Sequence, residues 1–158
     1  MRKFETFKEI EIGGSNKEEL LRKLEKADVK LNEYAKILFE HKDFSPSKEV
    51  EKVKLIKVNL ADLGLNESST YDELEAQAQK LGLRICPLEL GVYLRLEFMD
   101  QSEGPYLKVA SKRLENSDDF PKGLYLRNVD NVLWLRGYRA DGFEGWPENY
   151  AFILIDEN

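Results

Sequence analysis

The chain has one cysteine and one histidine among its 158 residues, and each scarcity excludes some chemistry. A single cysteine rules out an internal disulfide framework and any zinc site that is built from several cysteines. A single histidine excludes multi-histidine metal sites and leaves His41 as the only imidazole for a Ser-His-Asp triad. The acidic residues do not have the spacing of a calcium loop. We therefore expect neither a metal nor a cofactor.

The sequence also lacks a surplus of positive charge. Lysine and arginine together number 24, against 30 aspartate and glutamate residues, so the formal net charge is -6. Proteins that bind nucleic acid need surplus Lys and Arg for the phosphates. We therefore expect no nucleic-acid partner.

Long apolar segments are missing as well. No stretch of about 18 apolar residues exists, which is the minimum for a membrane-spanning helix. The residues after Met1 carry charges where a signal peptide needs an apolar segment. These features, with the single cysteine, predict a cytoplasmic protein without a membrane partner.

The length fits one domain, and composition divides it into two parts. Residues 1–80 contain 13 Lys and 2 Arg, whereas residues 81–158 contain 3 Lys and 6 Arg. Aromatic residues number 6 in the first part and 11 in the second. We predict a single domain over 1–158 that is helix-rich over 1–82 and β-rich over 83–158.

Periodicity and capping residues predict the elements of the first part. Ser15 with Glu18, and Thr70 with Glu73, have the spacing of a capping box, so each pair predicts a helix start. Gly82 is suited to end the helix that Thr70 opens. The predicted elements are a strand over 3–12, helices that follow Ser15, Asn32 and Thr70, and a strand over 50–60 whose apolar residues change phase.

The second part has short apolar runs separated by residues that form turns. The runs predict strands over 92–99, 105–110, 123–128, 132–138 and 150–155. Short connections favour antiparallel neighbours. We therefore predict an α+β fold in which helices pack on one face of an antiparallel β-sheet.

Successive strand residues point to opposite faces of a sheet, so the predicted strands have two distinct sides. One side is apolar and is expected to form the core. The other side is rich in Tyr, Trp and Arg, which are enriched at binding hot spots. Its candidate ligand-binding residues are Tyr93, Arg95, Tyr106, Tyr125, Arg127, Trp134, Arg136 and Tyr138.

Trp146 is a further candidate, in a loop over 141–150 that also carries Glu144 and Asn149. An aromatic ring beside carboxylate and amide groups is a common arrangement in sugar sites. The alternative is that Trp146 covers one edge of the core. For the sheet face too there is a structural alternative, because aromatic residues favour strands and Arg–aromatic pairs stabilise a sheet by about 0.2–1 kcal/mol.

Catalytic interpretations have less support from the residues. Carboxylates occur together at Asp100 and Glu103 and again in the 141–150 loop, and two carboxylates can catalyse glycoside hydrolysis. His41 at a helix end, Cys86 in an apolar run and the 13–17 segment before a helix each have a structural explanation. We therefore assign no catalytic residue.

One region resembles a known group of sequences. Residues 80–91, followed by Leu94-Arg95-Leu96 and Asp100-Gln101, are similar to an LGLxLCPxELGxxLRLxxxDQ-like run in small uncharacterised bacterial proteins. Those proteins share a C-terminal Trp, loop and strand arrangement, here around Trp134 and Trp146. This chain departs from the pattern at Ser102, where the group has proline. The resemblance implies a bacterial single-domain protein and no known activity.

These observations together predict a non-catalytic binding module. Its aromatic and Arg-rich sheet face is expected to recognise a protein, peptide or glycan. Two alternatives stay open: a small carboxylate-based hydrolase, for which glycans are one candidate substrate class, and an acidic antitoxin or immunity-type partner of a basic protein.

Overall fold

A computed structural model of the chain describes residues 4–117, 119–139 and 151–158. Within these ranges, eight strands and four helices form an α+β fold, as the sequence predicts. In chain order the elements are β1 (Lys8–Ile12), α1 (Lys17–Lys26), β2 (Lys30–Leu31), α2 (Glu33–Glu40), β3 (Glu51–Val58), a 3-10 helix (Ala61–Leu63), α3 (Tyr71–Lys80), β4 (Leu83–Arg84), α4 (Leu90–Glu97), β5 (Leu107–Val109), β6 (Gly123–Val129), β7 (Val132–Tyr138) and β8 (Ala151–Asp156).

All eight strands belong to one sheet. Its order is β1-β3-β8-β5-β6-β7-β2, and β4 pairs with β8 beside β5. Most pairs are antiparallel, but β5 runs parallel to β8 and β2 runs parallel to β7. The sheet is therefore mixed, and β8 lies between β3 and β5 within it.

Helices cover both faces of the sheet, which corrects the prediction that they pack on one face. The first core cluster joins Leu55 and Ile153 to apolar residues of α1, α2 and α4. The second joins Ile56 and Phe152 to α3 and the 3-10 helix. Neighbouring residues of β3 enter different clusters, and this explains the change of phase in its apolar pattern. The strand is buried on both faces.

The predicted strand over 92–99 is wrong, because these residues lie mostly in helix α4. Its buried residues take up more than half of the helix circumference and include Arg95, so the apolar and polar residues do not separate into two clear stripes of helical period: Leu90, Gly91, Val92, Leu94 and Arg95. The N-cap, Glu89, makes no side-chain capping hydrogen bond. The sequence of α4 therefore shows neither a clear helical stripe nor a capping side chain.

The first helix begins one residue later than its capping pattern predicts. Asn16 is the N-cap of α1, and its side chain and that of Glu19 form a reciprocal capping box. Ser15 lies just before the cap, and its backbone N–H donates to the hydroxyl of Tyr93 at 3.2 Å. The caps predicted at Asn32 and Thr70 are confirmed.

Candidate functional site

Three neighbouring strands place most of the predicted site residues side by side. On β6 and β7, Tyr125 is paired with Arg136, and Arg127 is paired with Trp134. Tyr106 immediately precedes β5, whose Leu107 pairs with Leu126 of β6. We call these five residues the Arg–aromatic surface: Tyr106, Tyr125, Arg127, Trp134 and Arg136.

The side chains of the Arg–aromatic surface stack on one another. The Tyr106 and Tyr125 rings are nearly parallel, with centroids 5.5 Å apart. The guanidinium carbon of Arg127 lies 4.5 Å from the Tyr106 centroid. That of Arg136 lies 5.2 Å from the Trp134 ring and 5.9 Å from the Tyr125 ring. These distances are within the range of cation–π attraction, so rings and guanidiniums hold each other in place.

The two guanidiniums have no carboxylate partner within the described part of the chain. The Nε–H groups of Arg127 and Arg136 are buried there without a hydrogen-bond acceptor. By contrast, Arg84 contacts Glu51 and Glu157, and Arg139 contacts Asp119. Arg127, Trp134 and Arg136 are half-buried. Their planar cations therefore lie on apolar rings without neutralisation by an acidic side chain of these segments.

Tyr125 and Tyr138 lie deeper than the sequence suggests. Tyr125 is 8% exposed and Tyr138 is 5% exposed, with ring centroids 6.4 Å apart. Burial raises the pKa of Tyr125 above its ordinary value, although the nearby charges of Arg136 and Arg127 lower it. Tyr125 is thus the most deeply buried member of the surface, and Tyr138 lies in the interior beside it, on the same side of the sheet.

Beside the surface, on the same side of the sheet, lies a buried polar cluster that the sequence does not reveal. The Lys108 ammonium is fully buried and lies 4.2 Å from the Tyr138 ring centroid. The hydroxyl of Tyr71, from α3, accepts a hydrogen bond from the backbone N–H of Ser111 at 2.9 Å. Burial raises the pKa of Tyr71 to about 12, although hydrogen bonds from Tyr138 and Ser111 lower it. Within this cluster, Tyr71 connects α3 to the segment after β5.

Tyr93 and Arg95 do not belong to the Arg–aromatic surface, because both lie on α4 against the first core cluster. Arg95 is fully buried. Its guanidinium donates to Gln101 Oε1 at 2.7 Å, to the Trp134 carbonyl at 3.2 Å and to the Phe98 carbonyl. Burial lowers the pKa of Arg95 to about 10. Its role is to connect the end of α4 to β7.

Gln101 extends this connection to β6. Its Nε2 group donates to the carbonyls of Pro105 and Leu126, each at 3.2 Å. The backbone carbonyl of Gln101 accepts a hydrogen bond from Asn128 Nδ2 at 2.7 Å. The available sequence signal for this connection was a single arginine between Leu94 and Leu96, followed by a polar turn. That pattern predicts neither the burial of Arg95 nor its hydrogen-bond partners.

Trp146 lies outside the described residues, as do Glu144 and Glu148 of the same loop. The other predicted carboxylates lie in the turn before β5, where Asp100 and Glu103 are exposed. Glu103 Oε1 accepts a hydrogen bond from the backbone N–H of Asn131 at 3.1 Å. This contact gives Glu103 a structural role in the turns at this end of the sheet.

The other candidates for chemistry also have internal roles. His41 Nε2 lies 2.6 Å from Glu115 Oε2, and its Nδ1 accepts the backbone N–H of Asp43 at 3.0 Å. Cys86 is 2% exposed, and burial raises its thiol pKa, so the thiolate nucleophile is disfavoured. Lys17 Nζ donates to the His41 carbonyl at 3.1 Å, so this ammonium has a structural partner.

A cavity of about 760 Å³ is a feature that the sequence analysis missed. It lies between the end of α3, the 82–89 segment and the 112–114 segment, with residues 43–45 and Glu157 completing its wall. The apolar run Ile85–Leu88 lines the cavity. This run was the available sequence signal, because an apolar segment that is short and contains a proline does not form a regular central strand.

The described side chains contain no group of three or more His, Cys, Asp or Glu residues that is suited to a metal ion. None of the helices in those ranges has the length and apolar character needed to cross a bilayer. Comparisons of the chain with protein-family models, curated protein sequences and solved structures give no match.

Proposed function

We propose that the protein is a non-catalytic binding module that recognises a carboxylate-bearing segment of a peptide or protein. The observation that carries the proposal is the pair of stacked guanidiniums, Arg127 and Arg136, that have no carboxylate partner in the described segments. A guanidinium presents planar donors that match a carboxylate in a two-point contact. The function follows from this complementarity of charge and shape.

The spacing of the two cations suits an extended ligand. Arg127 and Arg136 are diagonal neighbours on β6 and β7, since Arg127 is paired with Trp134 and Arg136 with Tyr125. Diagonal residues on paired strands are separated by roughly 7–8 Å. Alternate side chains of an extended peptide have a similar separation of about 7 Å. A peptide with acidic residues at alternate positions can therefore meet both guanidiniums.

Glycan binding has weaker support in this geometry. Sugar sites depend on open aromatic faces, but Tyr106 already contacts Arg127 and Trp134 already contacts Arg136. The groups that remain for a ligand are the outer edges of the guanidiniums. Those edges favour an anion over a neutral sugar ring.

The test is fluorescence polarisation with a fluorescein-labelled octapeptide of alternating Glu and Tyr. The matched probe has Gln in place of each Glu. We expect the Glu peptide to bind at least tenfold more tightly, and the difference to shrink as salt screens the charges. Equal binding of the two peptides, or displacement by a neutral chitin oligosaccharide, would overturn the proposal.

The variants separate stacked guanidiniums from simple positive charge. A double variant with Arg127→Lys and Arg136→Lys keeps the net charge and loses the planar, stacking groups. We expect it to lose at least tenfold in affinity for the Glu peptide. The control is Arg22→Lys on the exposed side of α1, which should bind like the unmodified protein. A double variant that binds normally would contradict the assignment.

A further inference from the structure

We infer that the cavity beside Cys86 binds a small, uncharged and mostly apolar molecule. The volume of about 760 Å³ lies within the roughly 300–1,000 Å³ that is typical of small-molecule sites. Its wall includes Phe44, Leu83, Ile85, Cys86, Leu88 and Leu114. The site uses none of the residues of the Arg–aromatic surface, so this inference is independent of the proposed function.

The charges around the cavity favour an uncharged ligand. Arg84 Nε donates to Glu157 Oε1 at 2.8 Å, and its Nη2 donates to Glu51 Oε1 at 2.7 Å. Glu89 is 8% exposed and accepts the backbone N–H of Ser47 at 2.8 Å. The other charged residues of the wall balance in sign, with two carboxylates and two cations: Asp43, Glu75, Lys112 and Arg113. The wall as a whole carries four carboxylates and three cations, so it offers an anionic ligand no surplus of positive charge, and its apolar side chains favour an uncharged molecule.

The frame of the cavity is held by the sheet. Leu83 and Arg84 pair with Asp156 and Ile155 of β8. The backbone N–H of Cys86 donates to the Ala110 carbonyl at 2.6 Å, just beyond β5. A site whose wall is already fixed by backbone hydrogen bonds loses little conformational freedom when a ligand binds. The favourable free energy of apolar contacts with the ligand is then not offset by the cost of ordering the wall, so it contributes to the affinity.

The test uses N-phenyl-1-naphthylamine, a neutral probe whose fluorescence rises in apolar surroundings. We expect saturable binding in the micromolar range. The matched competitor is 8-anilinonaphthalene-1-sulfonate, which has the same ring system and one added negative charge. It should displace the neutral probe at least tenfold less effectively than neutral 1-aminonaphthalene. Equal displacement by the sulfonate would overturn the assignment of an uncharged ligand.

Two substitutions that fill the cavity locate the probe. Ile85→Trp and Leu114→Trp each add volume at the wall, and each is expected to weaken probe binding at least tenfold. The control is Ile37→Trp, since Ile37 is 39% exposed on α2 and does not line the cavity. Unchanged binding in both wall variants, or no saturable binding to the unmodified protein, would overturn the inference.

A measurement on the unmodified protein removes any dependence on how the variants fold. Backbone amide resonances of Leu88 and Leu114 should shift when the neutral probe is added, whereas those of Arg127 and Trp134 should not. Shifts confined to the Arg–aromatic surface would contradict binding in the cavity.

Discussion

The guanidinium carbon of Arg127 lies 4.5 Å from the ring centroid of Tyr106. Tyr106 in turn stacks on Tyr125, and Tyr125 contacts Arg136. The two cations are thus connected through aromatic rings, while the described segments supply no carboxylate to neutralise either. An arrangement that satisfies the faces of the guanidiniums and leaves their charge unpaired is suited to binding an anion.

Trp134→Ala and Arg136→Ala are expected to leave thermal stability nearly unchanged. Both side chains are half-buried on the sheet face, and such positions usually change the free energy of unfolding by about 0.5–1 kcal/mol. The Arg95 contact at this position is to the Trp134 carbonyl, which the substitution retains. Thermal denaturation followed by circular dichroism measures the effect. Collapse of the fold in either variant would mean that the surface is structural.

Tyr125→Ala provides the contrast, because this ring is buried at 8% exposure. Removing a buried aromatic ring leaves a cavity and costs about 3–5 kcal/mol. We expect a marked fall in melting temperature in the same experiment. A stability equal to that of Trp134→Ala would show that burial of the Tyr125 ring does not stabilise the fold.

Arg95→Lys is expected to lower the free energy of unfolding by about 3 kcal/mol. A lysine keeps the charge but cannot reach Gln101, Phe98 and Trp134 together, and hydrogen bonds of charged groups contribute about 1.5–3 kcal/mol each. Urea denaturation measures the loss. Arg22→Lys, which is exposed on α1, serves as the control and should change stability by less than about 0.5 kcal/mol.

Tyr71→Phe is expected to change how stability depends on pH. Burial raises the pKa of Tyr71 to about 12 from an ordinary value of 10.0, so the folded protein keeps a proton that the unfolded chain releases. The contribution of the protonated Tyr71 side chain to the free energy of unfolding is therefore complete below pH 10, and it is lost as the pH rises toward 12.

At pH 8 the variant should be less stable by about 1 kcal/mol, since the Ser111 N–H loses its acceptor. At pH 11 this difference should have narrowed by about 1 kcal/mol. Urea denaturation at both pH values measures the difference between the proteins. A constant difference would show that Tyr71 titrates normally in the folded state.

Asn32→Ala tests how α2 is joined to β7. Asn32 Oδ1 accepts N–H groups from Ala35 at 2.9 Å and Gly137 at 2.8 Å, and its Nδ2 donates to the Gly137 carbonyl at 3.1 Å. Loss of the cap alone costs about 1 kcal/mol, so with the strand contacts we expect about 2–3 kcal/mol.

Asn32→Asp is the matched variant, because it keeps the acceptor and removes only the donor to Gly137. Its stability in urea should lie between those of the alanine variant and the unmodified protein. An aspartate variant as unstable as the alanine variant would show that the contact to the Gly137 carbonyl dominates.

Residue pattern alone predicted the elements whose two sides differ. The helices after Asn32 and Thr70 combine a capping residue with an apolar stripe, and the structure confirms both starts. The 123–128 and 132–138 strands alternate apolar and polar residues because the sheet there has one core face, and β6 and β7 confirm them.

Helix α4 escaped prediction because its pattern resembles that of a strand. Leu94 and Leu96 alternate with Tyr93 and Arg95, which is the period of a strand, and the helix lacks a side-chain cap. The polar side chains of that pattern form hydrogen bonds with groups outside the helix: Tyr93 with Ser15, and Arg95 with Gln101 and Trp134. Periodicity cannot reveal partners that lie far away in the sequence.

The amino-acid order by itself determined the α+β class, the helix starts after Asn32 and Thr70, and the alternation that puts Arg127, Trp134 and Arg136 on one side of their strands, because these features depend on neighbouring residues. Only the tertiary structure decided that helices cover both faces, that Arg95 is buried while Arg127 is half-exposed, and that residues 43–45, 82–89 and 112–114 line one cavity. Those outcomes depend on which segments, distant in the sequence, meet in the folded chain, and the pattern of neighbouring residues does not record such contacts.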